Sequence, residues 1–214
     1  MPMDKQFCIF DMDGTLADSM PFWDALAVDY LTSRGISPTA EQLDAIDPLT
    51  MEETAVYFME TFSIPGPPER IIKEVEGVME GHYRTDVPLK PGAREYLEAL
   101  RARGARLCVA TATAEPLARA CLERLGVAKD LDFILSCSTL GVGKTRPDIY
   151  LEAARRLGAQ PEEIAVFEDA PYAARTAREA GFYTVAVADA AFAGDWDALC
   201  ALAHETITDW REAL

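Results

Sequence analysis

The stretch FCIFDMDGT, residues Phe7–Thr15, decides the fold of this chain. A short apolar run that ends in a glycine turn is typical of a buried strand in a parallel sheet. Asp11 and Asp13 then lie at the carboxyl end of that strand, where open α/β sheets bind their ligands. The stretch therefore predicts a ligand site at the two carboxylates, although an Asp-Gly pair is also common in ordinary turns.

Size and composition limit the classes of protein to consider. The 214 residues fit one large domain or a domain with a smaller one inserted. A formal charge of -16 argues against a nucleic acid or an anionic membrane as partner, because both bind basic faces. Five cysteines without a C-x-x-C pair favour neither a disulfide framework nor a zinc site. We expect no targeting leader and no membrane span, and hence a cytoplasmic protein.

Hydrophobic periodicity divides the chain into two kinds of structure. Residues 19–83 show only helical spacing, and Thr50 with Glu53 forms a capping box ahead of one helix. From residue 88 onward helix and strand patterns alternate. Strands are predicted at 7–10, 107–111, 133–136, 164–168, 183–187 and 206–208, and helices between them at 91–103, 115–125, 147–157 and 173–180.

Repeated βα units predict an α/β fold with a doubly wound parallel sheet. The all-helical block interrupts this pattern after the first strand. We therefore expect a core domain of residues 1–16 and 88–214 and an inserted helical domain of residues 17–87. Hinges between them are expected near residues 16–18 and 87–88.

Polar residues lie at or just after the carboxyl ends of three further predicted strands. They are Thr111, Lys144 and the pair Glu168 and Asp169. Because the carboxyl ends of parallel strands meet at one edge of the sheet, these side chains should lie near Asp11. Carboxylates grouped at one edge need a cation, and Mg²⁺ prefers such oxygen ligands.

The motifs FDMDGTL at 10–16, KTRPDIY at 144–150 and FEDA at 167–170 make the chain resemble the haloacid dehalogenase superfamily. Within it, the resemblance is to the helical-cap phosphatases and the beta-phosphoglucomutase-like phosphomutases. It implies a Rossmann-like core with an inserted helical cap domain. It further implies a phosphoric monoester hydrolase that forms an aspartyl-phosphate, with Asp11 as nucleophile and Asp13 as general acid and base.

The same resemblance implies a Mg²⁺ site. Asp11 and Asp169 supply carboxylates and Asp13 its backbone carbonyl, while Glu168 binds the ion directly or through a water molecule.

The phosphate group of the substrate is expected to contact three residues. The resemblance implies that the Thr111 hydroxyl and the Lys144 ammonium bind it, and the Ala112 backbone N–H adds a donor. Thr111 is otherwise a strand residue or helix cap, with Thr113 competing for the cap, and Lys144 is otherwise a solvated side chain. The sequence Gly143-Lys144-Thr145 looks like the end of a P-loop, but Ser138 stands where that motif requires glycine.

Substrate contacts in the helical domain are harder to choose. Trp23, Glu52 and Arg84 are candidates, although Trp23 also fits an apolar helix face and the two charged residues also fit the surface. Two alternatives to the phosphatase remain open: a phosphomutase and a catalytically weak protein that binds a phosphorylated metabolite. Residues 19–23 lack the histidine that such mutases commonly carry, which favours hydrolysis of a small sugar, polyol or small-acid phosphate. Substrate identity and oligomeric state stay open.

Overall fold

The computed structural model describes residues 4–46 and 49–214. The chain divides into two compact units, Met1–Met20 with Val87–Leu214 and, separately, Pro21–Asp86. The predicted domain ranges also contain residues 1–3, 47 and 48, which lie outside the described residues. In the part of the chain that the structure describes, no helix is long and apolar enough to cross a membrane. The five cysteines are free thiols.

A parallel sheet forms the centre of the larger unit. Within the described residues its six strands are β1 Phe7–Phe10, β2 Arg106–Thr111, β3 Phe133–Ser136, β4 Ile164–Glu168, β5 Tyr183–Val187 and β6 Glu205–Ile207. The spatial order is β3-β2-β1-β4-β5-β6, and every neighbouring pair is parallel. The predicted α/β class and doubly wound parallel sheet are confirmed. The order reverses between β1 and β4, the position at which such sheets bind ligands.

Helices make up the smaller unit, as the periodicity predicts. They are α1 Met20–Ser33, α2 Ala40–Asp44, α3 Met51–Phe62 and α4 Pro68–Thr85. The ring of Tyr30 on α1 stacks on that of Phe58 on α3, with centroids 5.6 Å apart. The predicted capping box is present: Thr50 Oγ1 accepts from the Glu53 N–H at 3.2 Å, and a Glu53 carboxylate oxygen accepts from the Thr50 N–H at 2.8 Å.

The remaining helices connect the strands of the sheet. They are α5 Ala93–Ala102, α6 Glu115–Arg124, α7 Cys137–Leu140, α8 Asp148–Leu157, α9 Pro171–Glu179 and α10 Trp196–Leu202. Three predicted starts are wrong. Helix α8 begins one residue later than predicted, at Asp148, because Pro147 is its N-cap. Helix α5 begins at Ala93 rather than at residue 91, because Gly92 has a left-handed backbone with φ of 86°. Helix α9 begins two residues earlier than predicted, at Pro171, which suits the first turn of a helix. The sequence missed α7 and α10, which are too short to show a helical period.

Successive side chains of β1 are buried on opposite faces of the sheet. Ile9 packs with Ile149 and Ala153 of α8, whereas the ring of Phe10 stacks on that of Phe167 at 4.4 Å. Tyr96 of α5 contacts Phe167 on that second face, with ring centroids 5.9 Å apart. Both faces of the central strands are therefore covered. The polar residues at the ends of these strands lie at the carboxyl edge of the sheet.

The two predicted hinge segments lie side by side. The backbone N–H of Asp18 donates to the carbonyl oxygen of Pro88 at 2.9 Å. The backbone N–H of Lys90 donates to the carbonyl oxygen of Leu16 at 2.8 Å. These bonds flank an antiparallel bridge between Ala17 and residue 89. Their function as hinges stays a prediction.

Candidate active site

Three carboxylates meet at the point where the strand order reverses. The backbone N–H of Asp11 donates to Phe167 at 3.0 Å, which places Asp11 beside Glu168 and Asp169. One carboxylate oxygen from each of these three residues lies within 4.8 Å of the others. All three side chains are buried. We call Asp11, Glu168 and Asp169 the acidic cluster.

Lys144 joins the acidic cluster from the loop that precedes α8. Its Nζ donates to Asp11 Oδ1 and, at 2.8 Å, to Glu168 Oε1. Only 5% of the residue is exposed, so the alternative of a solvated lysine is wrong. Burial opposes the charged form, but the carboxylates of Asp11 and Glu168 outweigh it and raise the pKa of the ammonium above its ordinary value. Lys144 is therefore a buried cation paired with two anions.

Charge in the acidic cluster is only partly balanced. Burial, opposed by the ammonium of Lys144 and reinforced by Glu168, raises the pKa of Asp11 well above its ordinary value. Burial and the neighbouring Glu168 raise the pKa of Asp169 to about 7. Among the described residues Lys144 is the only buried cation, against three buried carboxylates. The ionised cluster thus has two excess negative charges, equal in size to the charge of one divalent cation.

Three residues that the sequence analysis did not choose also contact the cluster. Thr15 Oγ1 donates to Asp169 Oδ1 at 3.1 Å, and Tyr150 Oη donates to Glu168 Oε1 at 2.7 Å. The backbone of Gly14 approaches so closely that a Cβ there would lie 2.1 Å from Asp169 Oδ2. Each of the three lies inside a motif quoted for the resemblance, but motif membership alone does not say which side chain it contacts.

Asp13 lies outside the acidic cluster, and its carboxylate contacts hydroxyl groups. Oδ1 accepts from Ser19 Oγ at 2.7 Å. Oδ2 accepts from Thr113 Oγ1 at 2.7 Å and faces Thr111 Oγ1 at 3.4 Å. The hydroxyls of Ser19, Thr111 and Thr113 thus surround the Asp13 carboxylate. The structure therefore brings Asp13 and Thr111 together, as the sequence analysis predicts, and adds two residues that it did not assign to Asp13.

The helix-cap alternative for Thr111 and Thr113 is wrong. The N-cap of α6 is Ala114, whose side chain makes no capping bond. Thr111 Oγ1 instead accepts from the Thr113 backbone N–H at 3.0 Å. Ala112, between the two, is exposed in the loop after β2.

The three candidates in the helical unit are placed as follows. Trp23 is half-buried, and its Nε1 donates to Tyr83 Oη at 3.2 Å. Glu52 is exposed in the first turn of α3. Arg84 is exposed and pairs with Glu80 on the same helix at 2.8 Å. Within the helical unit these contacts are those of packing and surface residues, and a function in substrate binding stays a prediction.

Comparison with known proteins assigns the family. A family model described as haloacid dehalogenase-like hydrolase matches residues 6–181, which contain the acidic cluster, Lys144 and Asp13. The chain belongs to the haloacid dehalogenase-like hydrolases. The predicted family and the prediction of an enzyme are confirmed.

Several members of this hydrolase family are similar to the chain over most of its length. A phosphorylated carbohydrates phosphatase of Thermotoga maritima is 31% identical over 173 residues, covering 81% of this chain and 80% of the relative. Hexitol phosphatase B of Escherichia coli is 31% identical over 172 residues, covering 75% of this chain and 73% of the relative. A beta-phosphoglucomutase of Mycobacterium bovis is 28% identical, covering 86% of this chain and 81% of the relative.

A solved structure supports the fold of this haloacid dehalogenase-like hydrolase. It comes from Thermotoga maritima and is provisionally assigned as a beta-phosphoglucomutase. The TM-score is 0.85 at 28% identity, with 98% of this chain and 100% of that chain covered. The similarity extends over both units of the chain.

Proposed function

We propose that this hydrolase is a Mg²⁺-dependent phosphatase that acts on a small sugar, polyol or small-acid phosphate through an aspartyl-phosphate. The observation that carries the proposal is the buried acidic cluster with Lys144 bonded to Asp11. The curated relatives named as phosphatases of phosphorylated carbohydrates and hexitols support this class of substrate.

The acidic cluster fits a magnesium ion. Its donors are hard carboxylate oxygens, its side chains are buried, and its excess of two negative charges matches a divalent ion. We propose that Asp11 and Asp169 bind Mg²⁺, that the Asp13 carbonyl contributes, and that Glu168 acts directly or through water. When bound, the ion neutralises charge on the phosphate and the carboxylates, which lowers the repulsion between nucleophile and substrate.

Asp11 is the proposed nucleophile. One of its carboxylate oxygens forms a bond to phosphorus while the ester P–O bond breaks, which produces the aspartyl-phosphate and an alkoxide leaving group. The Asp13 carboxylic acid gives its proton to that alkoxide. General acid catalysis of this kind contributes about 10² to 10⁴ in rate.

Water completes the reaction. Asp13, now a carboxylate, takes a proton from the water as its oxygen bonds to phosphorus and the bond from Asp11 to phosphorus breaks. The products are inorganic phosphate and regenerated Asp11. Asp13→Asn should therefore leave substrate binding largely intact while turnover collapses.

The phosphate oxygens need hydrogen-bond donors throughout the reaction. We propose that Thr111 Oγ1, the Ala112 backbone N–H and the Lys144 ammonium supply them. Fixed donors of this kind stabilise charge that develops in the transition state. In the structure Lys144 bonds to Asp11, so the same ammonium is close to the nucleophile that the phosphate must reach.

The helical unit is the proposed cap. Closing elements of this type exclude water from the first chemical step, and their inner side chains select the substrate. Trp23, Glu52 and Arg84 remain the candidates for such contacts. A cytoplasmic location and the lack of a nucleic-acid or membrane partner also stay predictions.

A phosphomutase is the second candidate, because a relative named beta-phosphoglucomutase covers 86% of this chain. A protein that binds but scarcely turns over its ligand is the third. The experiment that separates them begins with p-nitrophenyl phosphate, with and without Mg²⁺, on the wild type and on Asp11→Ala. Phosphatase chemistry predicts release that requires both Mg²⁺ and Asp11.

The second stage uses a panel of phosphate esters. Sorbitol 6-phosphate, glycerol 1-phosphate, glucose 6-phosphate, beta-glucose 1-phosphate and phosphoglycolate are each scored for free phosphate and for isomerised product. The phosphatase predicts free phosphate as the main product, and the mutase predicts conversion of beta-glucose 1-phosphate to glucose 6-phosphate. If p-nitrophenol release is the same in Asp11→Ala as in the wild type, the proposed nucleophile is wrong.

A further inference from the structure

The two oxygens of the Asp13 carboxylate are held by different parts of the larger unit. Oδ1 accepts from Ser19 Oγ, six residues later in the chain. Oδ2 accepts from Thr113 Oγ1, 100 residues later, in the loop after β2. Both distances are 2.7 Å, which is typical of a well-formed O–H···O bond. The side chain of Asp13 is thus fixed by contacts beyond its own turn.

Thr113 is itself fixed on both sides of its backbone. Its N–H donates to Thr111 Oγ1 at 3.0 Å, and its carbonyl accepts from Ser136 Oγ at 2.8 Å. Ser136 ends β3 and is the register partner of Thr111 on β2. The loop position of Thr113 is therefore set by two neighbouring strands, which lowers the entropy cost of directing its hydroxyl at Asp13.

Distances show which threonine holds Asp13. The contact from Thr111 Oγ1 to Asp13 Oδ2 is 3.4 Å, longer than the usual range of about 2.5–3.0 Å for such bonds. Thr111 Oγ1 already accepts from the Thr113 N–H, and its own hydrogen makes this long, weak contact with Asp13. Thr113 makes the short bond.

We infer that Thr113 is a positioning residue for Asp13, and that by holding Oδ2 it leaves the Thr111 hydroxyl hydrogen for a phosphate oxygen. This inference rests on the proposed phosphatase function. A hydroxyl donates to a carboxylate and accepts from a carboxylic acid, so the contact is compatible with both forms that Asp13 takes during the reaction. A lysine or a backbone N–H at the same place would favour the carboxylate alone.

Loss of the Thr113 hydroxyl should affect phosphate esters differently, according to their leaving groups. A sugar or polyol phosphate releases an alkoxide, which needs the proton of Asp13, whereas p-nitrophenolate departs without one. The parameter kcat/KM includes the steps up to departure of the leaving group and not the later hydrolysis of the aspartyl-phosphate. The ratio of kcat/KM for the alkyl ester to that for p-nitrophenyl phosphate therefore measures how well Asp13 is placed.

The test compares Thr113→Val with Thr113→Ser, and the alkyl ester is the panel compound that the wild type hydrolyses fastest. We expect the ratio to fall about tenfold or more in Thr113→Val. This fall is a part of the rate acceleration of about 10² to 10⁴ that general acid catalysis contributes. We expect Thr113→Ser to restore it to within about threefold. Thr184→Val is the matched control, because Thr184 is a fully buried threonine of β5 whose hydroxyl makes a long contact of 3.4 Å with the Phe182 carbonyl oxygen.

Because both substrates are measured on one preparation, the ratio does not depend on the fraction of folded enzyme. Thr113→Ala is measured in the same way if Thr113→Val yields no folded protein. An unchanged ratio in the variant that lacks the hydroxyl, or an equal fall in Thr184→Val, overturns the inference. If the wild type itself shows no Asp11-dependent release from either ester, the proposed function fails instead, so the two failures are distinguishable.

Discussion

Replacing Gly14 with alanine would test whether the turn after β1 is built to let a carboxylate approach the backbone. Gly14 has φ of +78°, a conformation that residues with a Cβ rarely adopt. The added Cβ would lie 2.1 Å from Asp169 Oδ2 and 2.8 Å from its Cγ, against about 3.5–4.0 Å for an ordinary contact. The difference between the 2.1 Å distance and an ordinary contact is more than 1 Å, so Asp169 or the turn must move by at least that much.

Gly14→Ala should have two effects, one on stability and one on activity. The left-handed backbone costs alanine about 1–2 kcal/mol in the free energy of unfolding. Displacement of Asp169 adds a cost to activity, because a misplacement of about 1 Å at a catalytic group can lower the rate about 100-fold. We expect Gly14→Ala to lose about 100-fold in kcat/KM and to need more Mg²⁺ for half-maximal activity.

Gly158→Ala is the matched control for backbone strain. Gly158 follows α8 with φ of +75°, and a Cβ there would meet nothing within 4 Å. We expect a similar loss of about 1–2 kcal/mol in urea unfolding, with Mg²⁺-dependent p-nitrophenyl phosphate hydrolysis retained. Equal activity in Gly14→Ala and Gly158→Ala would refute the proposed importance of the Asp169 position.

Three further substitutions test contacts at the site and in the helical unit. Lys144→Met leaves buried carboxylates without their cation and should cost about 3–5 kcal/mol in urea unfolding, less when Mg²⁺ is present; a loss below about 1 kcal/mol contradicts the buried pair. Tyr150→Phe removes one donor to Glu168 and should cost about 1.5–3 kcal/mol, and an unchanged unfolding midpoint would show that the bond contributes nothing. Thr50→Ala removes a capping box and should cost about 0.5–2 kcal/mol, whereas Thr50→Ser should retain most of that stability.

Much of the sheet could be predicted because its strands are local apolar runs. The predicted ranges of β1, β3, β4 and β5 agree with the structure at both ends. Each is bounded by turn residues, and a buried parallel strand is apolar on both faces. Short elements such as α7, with four residues, could not be predicted, because one turn of helix has no period to detect.

The placement of the candidate site residues could be predicted in the same way. The order of the motifs placed Asp11, Thr111 and Asp169 at the carboxyl edge of one parallel sheet. Parallel pairing alone requires this, since every strand then presents the same end. The sequence also indicated the types of group at that edge, an excess of carboxylates with one lysine.

The tertiary structure alone decided which groups touch. The neighbours of Thr113 favour a helix cap, yet its hydroxyl contacts a carboxylate 100 residues away. The sequence places Tyr150 only within a predicted helix, yet its phenol contacts Glu168. A local pattern shows which side of a strand or helix is buried, because it reflects burial averaged along one element. It does not show which side chain of another element lies opposite, because that depends on strand order, register and the path of the loops between them.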